Sequence, residues 1–417
     1  MPCHRITLTI LLCVLTAIPA LRAQRHFLPT PVAADSAISI SLLTCGPGAE
    51  VYELEGHSAI RLQYRYGNPA ETLDITVNWG VFDFASPGFV YRFVKGETDY
   101  SIGITSTPTF LNAYASAGRS VTEQILDLTP SQSIRLIGLI DENLLPENRI
   151  YRYNYVLDNC ATRPLAMIEC AIGEPLQFTS EYTDLGQSPT FRNEMRHFHA
   201  DYPWYQFGID LCLGSGVDRT ITQRETMFAP VVMQQLVADA VIPTSHGSPA
   251  RPLVSSTHIL VHGAPDGTLS QPTPWPLTPL TAMTALLIAT CAITWFDITR
   301  RRRSRWFDSI LFGTYGILGC IIAFLIFISV HEATSPNWLL LWLNPLCLLV
   351  PGLIWRRAAQ RFLVIYLLAS SLATLSLGLL FLSGVQSCNP AFPPMMLAGI
   401  IRSIFIIIRS REKRKTT

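Results

Sequence analysis

The distribution of apolar residues and arginines after about residue 275 restricts the fold of this chain more than any other feature. Four apolar segments there are close to the roughly 20 residues that an α-helix needs to cross a bilayer core, and a fifth is somewhat shorter. The segments span residues 277–296, 309–330, 337–355, 362–384 and 393–408. They predict a bundle of about five transmembrane helices. Arg402 interrupts the fifth segment, for which a snorkelling or interfacial helix is the alternative.

Basic residues orient this bundle. Clusters of Lys and Arg follow the first, third and fifth segments, whereas the two other loops, HEATSP and SGVQSCNPAFPP, contain neither residue. Under the positive-inside rule the basic loops are cytoplasmic, so the chain before the first segment lies outside. Residues 1–23 have the pattern of a secretory signal peptide cleaved after Ala23, with a retained anchor helix as the alternative. This pattern predicts the same orientation.

Composition divides the chain into further parts. Residues 24–242 have the character of a soluble domain, and residues 243–276 are rich in Pro, Ser and Gly, which predicts a linker. The membrane bundle then occupies residues 277–408, and residues 409–417 form a basic cytoplasmic tail. The formal net charge of the chain is +1, which argues against a nucleic acid as a partner.

Periodicity in the soluble part predicts an α+β domain. The segments SAIRLQYRYG, TLDITVNWGVFDF and SVTEQILDL alternate apolar and polar residues like strands, and RIYRYNYVL predicts another strand that reaches Leu157. Thr129 and Gln132 form a capping box that starts a helix ending near Leu145. A second helix follows residue 160, and Gly173 is its expected end.

Cys160 lies where the last of these strands gives way to a helix. Asn159 or Asp158 would cap that helix and place Cys160 in its first turn. Free N–H groups at a helix start favour a thiolate and can face an oxyanion. The alternative is a buried structural cysteine, which is common. The ten cysteines form no paired CxxC clusters, so no metal site is predicted.

His57 is the candidate partner base. It begins a predicted strand between Gly56 and Ser58, and an imidazole beside a thiol can activate it as a nucleophile. Asn78 or Asp83 on the next strand would orient the ring, and Asn78 is preferred because its expected height along the sheet is closer. A structural histidine is the alternative reading of His57. His197 and His199 compete as bases, although they lie in an apparently helical polar surface segment.

The order of a histidine on an early strand and an Asn-Cys pair opening a later helix resembles the circularly permuted papain-like arrangement of lecithin:retinol acyltransferase relatives in the NlpC/P60 superfamily. Longer motifs resemble the Bacteroides-type lipoprotein N-acyltransferases, the Lnb family. They include LLTCGPGAEVYELEGHSAIRL, NWGVFDF, ENRIYRYNYVLDNCATRP and DRTITQRETMFAP. The resemblance covers roughly residues 35–235, and HEATSPNWLLLWLNPLCLL resembles the membrane part of that family.

This resemblance implies a lipoprotein N-acyltransferase in the inner membrane with its catalytic domain on the periplasmic side. A membrane phospholipid would donate a fatty acyl group through a Cys160 thioester to the N-terminal diacylglyceryl-cysteine amine of a lipoprotein. His57 would be the general base, and Asn78 the third catalytic residue. No metal or diffusible cofactor is implied. Three further residues would support the site, namely Asn159, Arg163 and Cys45, the last being also the rival nucleophile.

Polar residues at the outer border of the bundle are further candidates. His331 and Asn337 would shape a lipid entry site, or they would belong to an aromatic belt with hydrogen bonds between helices. Two other functions compete with acyl transfer: an NlpC/P60-like cell-wall peptidase or amidase, and a non-enzymatic membrane assembly protein with a structural Cys160. Five membrane segments argue against the peptidase, which needs only one anchor.

Overall fold

The computed structural model describes residues 26–32, 38–180, 189–243, 250–264 and 272–415. The predicted signal peptide lies outside these residues, as do parts of the predicted linker. The described chain is a mixed α/β N-terminal domain followed by a C-terminal helical bundle. This architecture confirms the predicted fold class.

A seven-stranded antiparallel sheet in the order β10-β5-β1-β2-β3-β4-β6 forms the centre of the N-terminal domain. A small three-stranded sheet, β7-β8-β9, lies beside it. The strands are β1 Ser39–Cys45, β2 His57–Tyr66, β3 Glu71–Val81, β4 Asp99–Ser106, β5 Val121–Leu126, β6 Ile150–Arg152, β7 Gln177–Phe178, β8 Ala240–Ile242, β9 Arg251–Pro252 and β10 Val254–Val261.

Strand register brings three polar side chains to one end of one sheet face. Cys45 on β1 lies opposite His57 on β2, and Ala59 on β2 lies opposite Asn78 on β3. Because side chains alternate between faces, Cys45, His57 and Asn78 share a face. Ser58 therefore projects from the opposite face, where the main hydrophobic core of the domain lies.

Helices lie on both faces of the sheet: Leu136, Leu165 and Val232 from three helices join the main core, and Phe110 from another packs on the face of Cys45 and Ala59. The helices of the domain are α1 Phe89–Lys95, α2 Thr107–Ser116, α3 Pro130–Leu144, α4 Thr162–Ile172, α5 Phe191–Phe198, α6 Pro203–Cys212, α7 Gln223–Thr226 and α8 Pro230–Ala238. The predicted capping box starts α3, since Thr129 and Gln132 satisfy each other's backbone N–H groups. Gly173 ends α4 with φ 90°, a left-handed conformation that glycine adopts without steric cost.

The strand predicted for RIYRYNYVL is shorter than expected. Only Ile150–Arg152 pairs with β4, and the chain then closes a tight loop in which the backbones of Asn154 and Asp158 exchange two hydrogen bonds of 3.0 Å. Its period-two pattern continues to Leu157 without a neighbouring strand, so the alternation alone was misleading there.

The predicted linker at residues 243–276 is partly wrong. It contains β9 and β10, and β10 pairs with β5 as the edge strand of the large sheet. Edge strands tolerate the proline and serine content that suggested a linker, because one side of the backbone needs no partner. The N-terminal domain therefore extends at least to Val261.

Five segments of the described chain are long and apolar enough to cross a membrane, as predicted. They are Pro279–Thr299 (α9), Arg305–Phe327 (α10), Trp338–Trp355, Gln360–Leu382 (α12) and Phe392–Arg411, the last being part of α13, Phe392–Lys415. The third segment is discontinuous: two short 3₁₀ turns precede helix α11, Leu349–Trp355. It packs closely on α10, where a Cβ at Gly319 would lie 2.4 Å from the carbonyl carbon of Asn344.

Arg402 is fully buried inside the bundle, so the interfacial alternative for the fifth segment is wrong. Its guanidinium donates to Asp308 Oδ1 at 2.7 Å, to Asp297 Oδ2 at 2.9 Å and to Thr294 Oγ1 at 3.0 Å. These carboxylates come from α9 and α10. Three helices thus share one charge cluster, which satisfies a cation that would otherwise be costly at this depth.

The loops that lack Lys and Arg dock on the N-terminal domain. Gly214 donates its backbone N–H to Ala333 O at 2.8 Å, and Asn389 donates to Asp210 Oδ2 at 2.8 Å. The arginine-rich ends of the bundle lie at the other ends of the same helices. Domain and basic clusters are therefore on opposite sides, in agreement with the orientation predicted from charge.

Candidate active site

Cys160 lies in the turn just before α4. The helix begins at Thr162, so Cys160 precedes the first turn instead of belonging to it. Asn159 organises the turn: its Oδ1 accepts the backbone N–H groups of Ala161 at 2.8 Å and Thr162 at 3.0 Å, and its amide nitrogen donates to Tyr155 O at 2.7 Å. The buried Asn159 side chain thus fixes the loop that presents the thiol.

The Cys160 thiol is half-buried against strand ends β2 and β3. The backbone N–H of Ser58 and the hydroxyl of Tyr153 donate hydrogen bonds to it, and the Ser58 hydroxyl donates to the carbonyl oxygen of Cys160. Gly80 faces this point, where an added Cβ would lie 3.1 Å from Tyr153 Cε2 and 4.0 Å from Cys160 Cβ. The missing side chain leaves room beside the sulfur.

Burial controls the charge state of this thiol. The pKa of Cys160 is raised to about 11, mainly because burial removes solvent from the thiol. Hydrogen bonds from Ser58 and Tyr153 lower the pKa by a smaller amount, and the carboxylate of Glu55 raises it slightly. Near neutral pH the group is therefore a protonated thiol. A base must remove its proton before it can act as a nucleophile.

His57 has the form that such a base needs. Its Nε2 lies 3.1 Å from Asn78 Oδ1, and an amide oxygen only accepts, so Nε2 carries the proton and Nδ1 keeps its lone pair. Burial lowers the pKa of His57 to about 4, which keeps the ring neutral. In the described residues the ring hydrogen-bonds to Asn78 and not to Cys160. Asp83 instead accepts the N–H of Ala85 beyond the strand end.

Cys45 belongs to the same cluster but is less accessible. It is fully buried opposite His57, and burial raises its pKa to about 12 despite a hydrogen bond from Tyr114. An ionised Cys160 would also raise the pKa of Cys45, although by less than burial does. Of the two, Cys160 has the more open surroundings.

Arg163 supports the Cys160 turn from outside. It makes a two-point ion pair with Asp158, with N–O distances of 2.6 and 2.7 Å, and its guanidinium lies 3.5 Å from the ring centroid of Tyr151. Asp158 is therefore engaged by Arg163, and Asn159 alone caps the turn.

His331 and Asn337 join the domain to the bundle. His331 Nε2 donates to Phe93 O at 2.7 Å, and Asn337 Nδ2 donates to Leu211 O at 2.9 Å. Neither side chain contacts Cys160 or His57 among the described residues. The structure thus does not bring these two candidates into the cysteine cluster.

The sequence did not reveal a buried network around Glu55. His199, predicted on a polar surface, is 1% exposed, with Nε2 2.9 Å from Glu55 Oε1 and Nδ1 2.7 Å from Gln206 Oε1. Glu55 also accepts from the Tyr155 hydroxyl. Because the helix carrying His199 ends against this network, its polar pattern gave no sign of burial. The position of Glu55 two residues before His57 was the only available signal.

Together, these features define a multi-pass membrane protein with a periplasmic α/β domain that holds a cysteine-histidine-asparagine cluster. Two family models match the chain: the Lnb N-terminal periplasmic domain at residues 31–193 and the Lnb transmembrane domain at residues 271–414. The chain belongs to the Lnb family. Membership suggests a lipoprotein N-acyltransferase-type function. No curated protein and no solved structure matches the chain significantly.

Gly80 offers a direct test of the geometry beside the thiol. Gly80→Ala is expected to destabilise the fold by about 1–2 kcal/mol, because φ is +85° there and a Cβ would press on Tyr153. Displacing Tyr153 should also slow acylation of Cys160 about tenfold or more. Thermal unfolding and intact-protein mass measure the two effects. Gly138→Ala, at an exposed position of α3 where a Cβ meets nothing within 4 Å, is the control that should leave both unchanged or increase stability. Equal behaviour of the two variants would contradict the prediction.

Proposed function

We propose that this protein is a lipoprotein N-acyltransferase of the inner membrane. It moves a fatty acyl group from a phospholipid, through a thioester on Cys160, to the α-amine of a diacylglyceryl-cysteine at a lipoprotein N-terminus. The observations that carry the proposal are a half-buried Cys160 whose carbonyl oxygen is bonded by Ser58, the residue after His57, and a neutral His57 whose Nε2 is held by Asn78. Family membership supports the same reaction class.

The first half-reaction forms the thioester. His57 Nδ1 takes the thiol proton while the sulfur of Cys160 attacks the ester carbonyl carbon of the phospholipid. The backbone N–H of Ser58, which already donates toward the sulfur, is placed to stabilise the oxyanion of the tetrahedral intermediate. When that intermediate collapses, the ester C–O bond breaks, and the imidazolium gives its proton to the leaving lysophospholipid oxygen.

The second half-reaction consumes the thioester. The neutral α-amine of the acceptor attacks the thioester carbonyl, and His57 removes one proton from the nitrogen. The C–S bond then breaks, the sulfur takes the proton back from His57, and an amide is released. One base therefore serves both half-reactions, and the resting thiol is restored.

The resting geometry requires a small movement before the first step. The sulfur faces Tyr153 and Ser58, whereas His57 projects from the sheet face that carries Cys45. Because the turn before α4 is short and Gly80 leaves space, rotation of the Cys160 side chain toward Nδ1 is the movement that the mechanism needs. Hydrogen bonds of catalytic groups commonly tighten only with substrate bound.

The pH dependence of thioester formation tests this mechanism. Protonated His57 cannot accept a proton, so the rate should fall only below a pKa of about 4 and stay level up to the thiol pKa of about 11. An unperturbed histidine would give an acid limb at 6.5. Asn78→Ala should lower the plateau on the order of tenfold and move the limb to still lower pH, because the Asn78 hydrogen bond raises the pKa of His57. Initial rates of acyl-Cys160 formation measure both; an acid limb at 6.5 or above would contradict the mechanism.

Mass spectrometry of lipoprotein N-termini, from cells with and without this protein, tests the overall function. We expect the N-acylated form only when the protein is present. Cleaved cell-wall fragments without any change in lipoprotein mass would instead support a peptidase or amidase. Cells without the protein could instead show unchanged lipoproteins and cell wall but a growth defect. If the Cys160→Ala protein restores their growth, a non-enzymatic assembly role is supported.

A further inference from the structure

A cleft lies beside the cysteine cluster, between α1 and the adjacent ends of β3 and β4. It is open to solvent, and its empty space, which includes part of that open solvent, is about 310 Å³. Three stacked aromatic rings form its floor: Phe82 lies 4.8 Å from Tyr100 and 5.7 Å from Phe89 between ring centroids. Charged and polar side chains form the rim, including Asp83 and Arg92.

The aromatic floor leads directly to the nucleophile. Tyr100 lies 4.9 Å from Tyr153 between ring centroids, and the Tyr153 hydroxyl donates to the Cys160 thiol. Phe82 also follows Gly80, the residue that leaves space beside the sulfur, by two positions. The packed rings of Tyr100 and Tyr153 therefore connect the floor of the cleft to the residues around Cys160.

The cleft is held at the outer end of a membrane helix. Val330 donates its N–H to Lys95 O at 2.8 Å, and Ser329 Oγ donates to Val94 O at 3.0 Å. His331 makes a third such bond, to α1 at Phe93. Since α10 ends at Phe327, α1 lies where this helix leaves the hydrocarbon, which is the depth of lipid headgroups.

The outer side of α1 is apolar and continues the surface of the bundle. Val90 is 73% exposed and Tyr91 59% exposed, and the Tyr91 ring lies 6.4 Å from that of Phe324 on α10. Large apolar side chains that extend a membrane-facing helix surface favour contact with lipid over contact with water. The bilayer can therefore reach the cleft from this side.

Among the described residues, two opposite charges on the rim form no ion pair. Lys95 pairs with Glu97 at 2.5 Å, and Arg152 pairs with Asp99 at 2.9 Å. By contrast, the guanidinium of Arg92 donates to Ser86 Oγ at 2.7 Å, and the carboxylate of Asp83 accepts the N–H of Ala85 at 2.8 Å. One guanidinium and one carboxylate in the described part of the cleft are thus available for a ligand.

We propose that this cleft binds the headgroup of a zwitterionic phospholipid that carries a primary ammonium, the acyl donor of the proposed reaction. Arg92 binds the phosphate, Asp83 binds the ammonium, and the aromatic floor guides the ester toward Cys160. A glycerol headgroup lacks the cation for Asp83, and a trimethylated headgroup lacks its N–H donors. The inference rests on the proposed function, because it names the donor for Cys160.

Acylation of the full chain in vesicles tests the site. The vesicles consist of ether-linked phosphatidylcholine, which cannot donate, with a minor fraction of ester-linked phosphatidylethanolamine, phosphatidylglycerol or phosphatidylcholine of equal chains. We expect acyl-Cys160 to form at least tenfold faster with phosphatidylethanolamine. Arg92→Gln should slow that reaction at least tenfold, and Asp83→Asn should abolish the preference over phosphatidylglycerol. Arg65→Gln, an exposed arginine at the far end of β2, should change nothing.

A donor without a headgroup separates binding from folding. Both cleft variants should acylate Cys160 from p-nitrophenyl hexanoate, with release of nitrophenol, as fast as the parent chain. The proposal is overturned if the cleft variants lose the same fraction of the acylation rate with phosphatidylethanolamine and with p-nitrophenyl hexanoate. It is also overturned if the parent chain is acylated equally fast from all three headgroups. Binding of spin-labelled phosphatidylethanolamine to Cys160→Ala separates the headgroup site from the proposed function. If this variant binds the lipid and Arg92→Gln weakens the binding, the site is supported. If, in addition, no donor acylates the parent chain, the proposed function is rejected while the site stands.

Discussion

Cys160→Ala is expected to abolish the proposed N-acylation of lipoproteins, with a loss of about 10³-fold or more, because the proposed thioester forms on its sulfur. His57→Gln should lose about 10²- to 10⁴-fold by the loss of proton transfer. Acyl-enzyme mass and lipoprotein mass measure the two half-reactions separately. Cys170→Ala is the matched control, since that thiol is exposed on α4, away from the cluster, and should be dispensable.

Cys45 decides whether the nucleophile is assigned to the correct sulfur. Cys45→Ala should leave a thioester on Cys160, although it removes a buried side chain opposite His57 and so reduces the rate. An acyl group found on Cys45 in the Cys160→Ala variant would reverse the assignment. Acylation that survives in both single variants and disappears only in the double variant would make the two sulfurs interchangeable.

The largest effect on stability is expected at Arg402. Arg402→Leu should cost about 3–5 kcal/mol, because it leaves the buried carboxylate of Asp297 without its cation and leaves Asp308 with Arg303 alone. Thermal unfolding of the detergent-solubilised chain measures the loss. Arg302→Leu, at an exposed position of the neighbouring basic loop, is the control and should stay near the parent stability.

A compensating variant checks the cause. Arg402→Leu combined with Asp297→Asn and Asp308→Asn should recover part of the stability, since neither buried carboxylate then remains, although Arg303 loses its partner Asp308. If the triple variant is as unstable as Arg402→Leu, packing of the arginine stem is responsible and the electrostatic explanation is wrong. The aromatic rings of Phe307 and Phe405 that flank the guanidinium would then carry the effect.

Local sequence signals predicted the elements that depend on local forces. Alternation identified β2 and β3, and with them the shared face of His57 and Asn78, because one side of each strand packs on the core. The Thr129 capping box and the Gly173 stop are contacts within a single turn, so both were visible in the sequence. The bundle followed from length and hydropathy.

Features that depend on distant partners were not predictable. The pairing of β10 with β5 joins residues more than a hundred positions apart, and nothing local identifies the partner of an edge strand. Burial of His199 comes from Glu55 and Gln206, and neutralisation of Arg402 comes from acids on two other helices. The sequence pattern around His199 and Arg402 suggested exposure because Glu55, Asp297 and Asp308 are remote from them in sequence.

The protonated resting state of Cys160 has a consequence for survival of the site in an oxidising compartment. Peroxide and disulfide exchange both begin from the anionic sulfur. With a pKa of about 11, only about one molecule in 10⁴ carries that anion at pH 7. Cys45, with a pKa of about 12, is still less reactive. Both thiols are therefore expected to react slowly with oxidants at rest, and removal of the proton by His57 would restore the reactivity of Cys160.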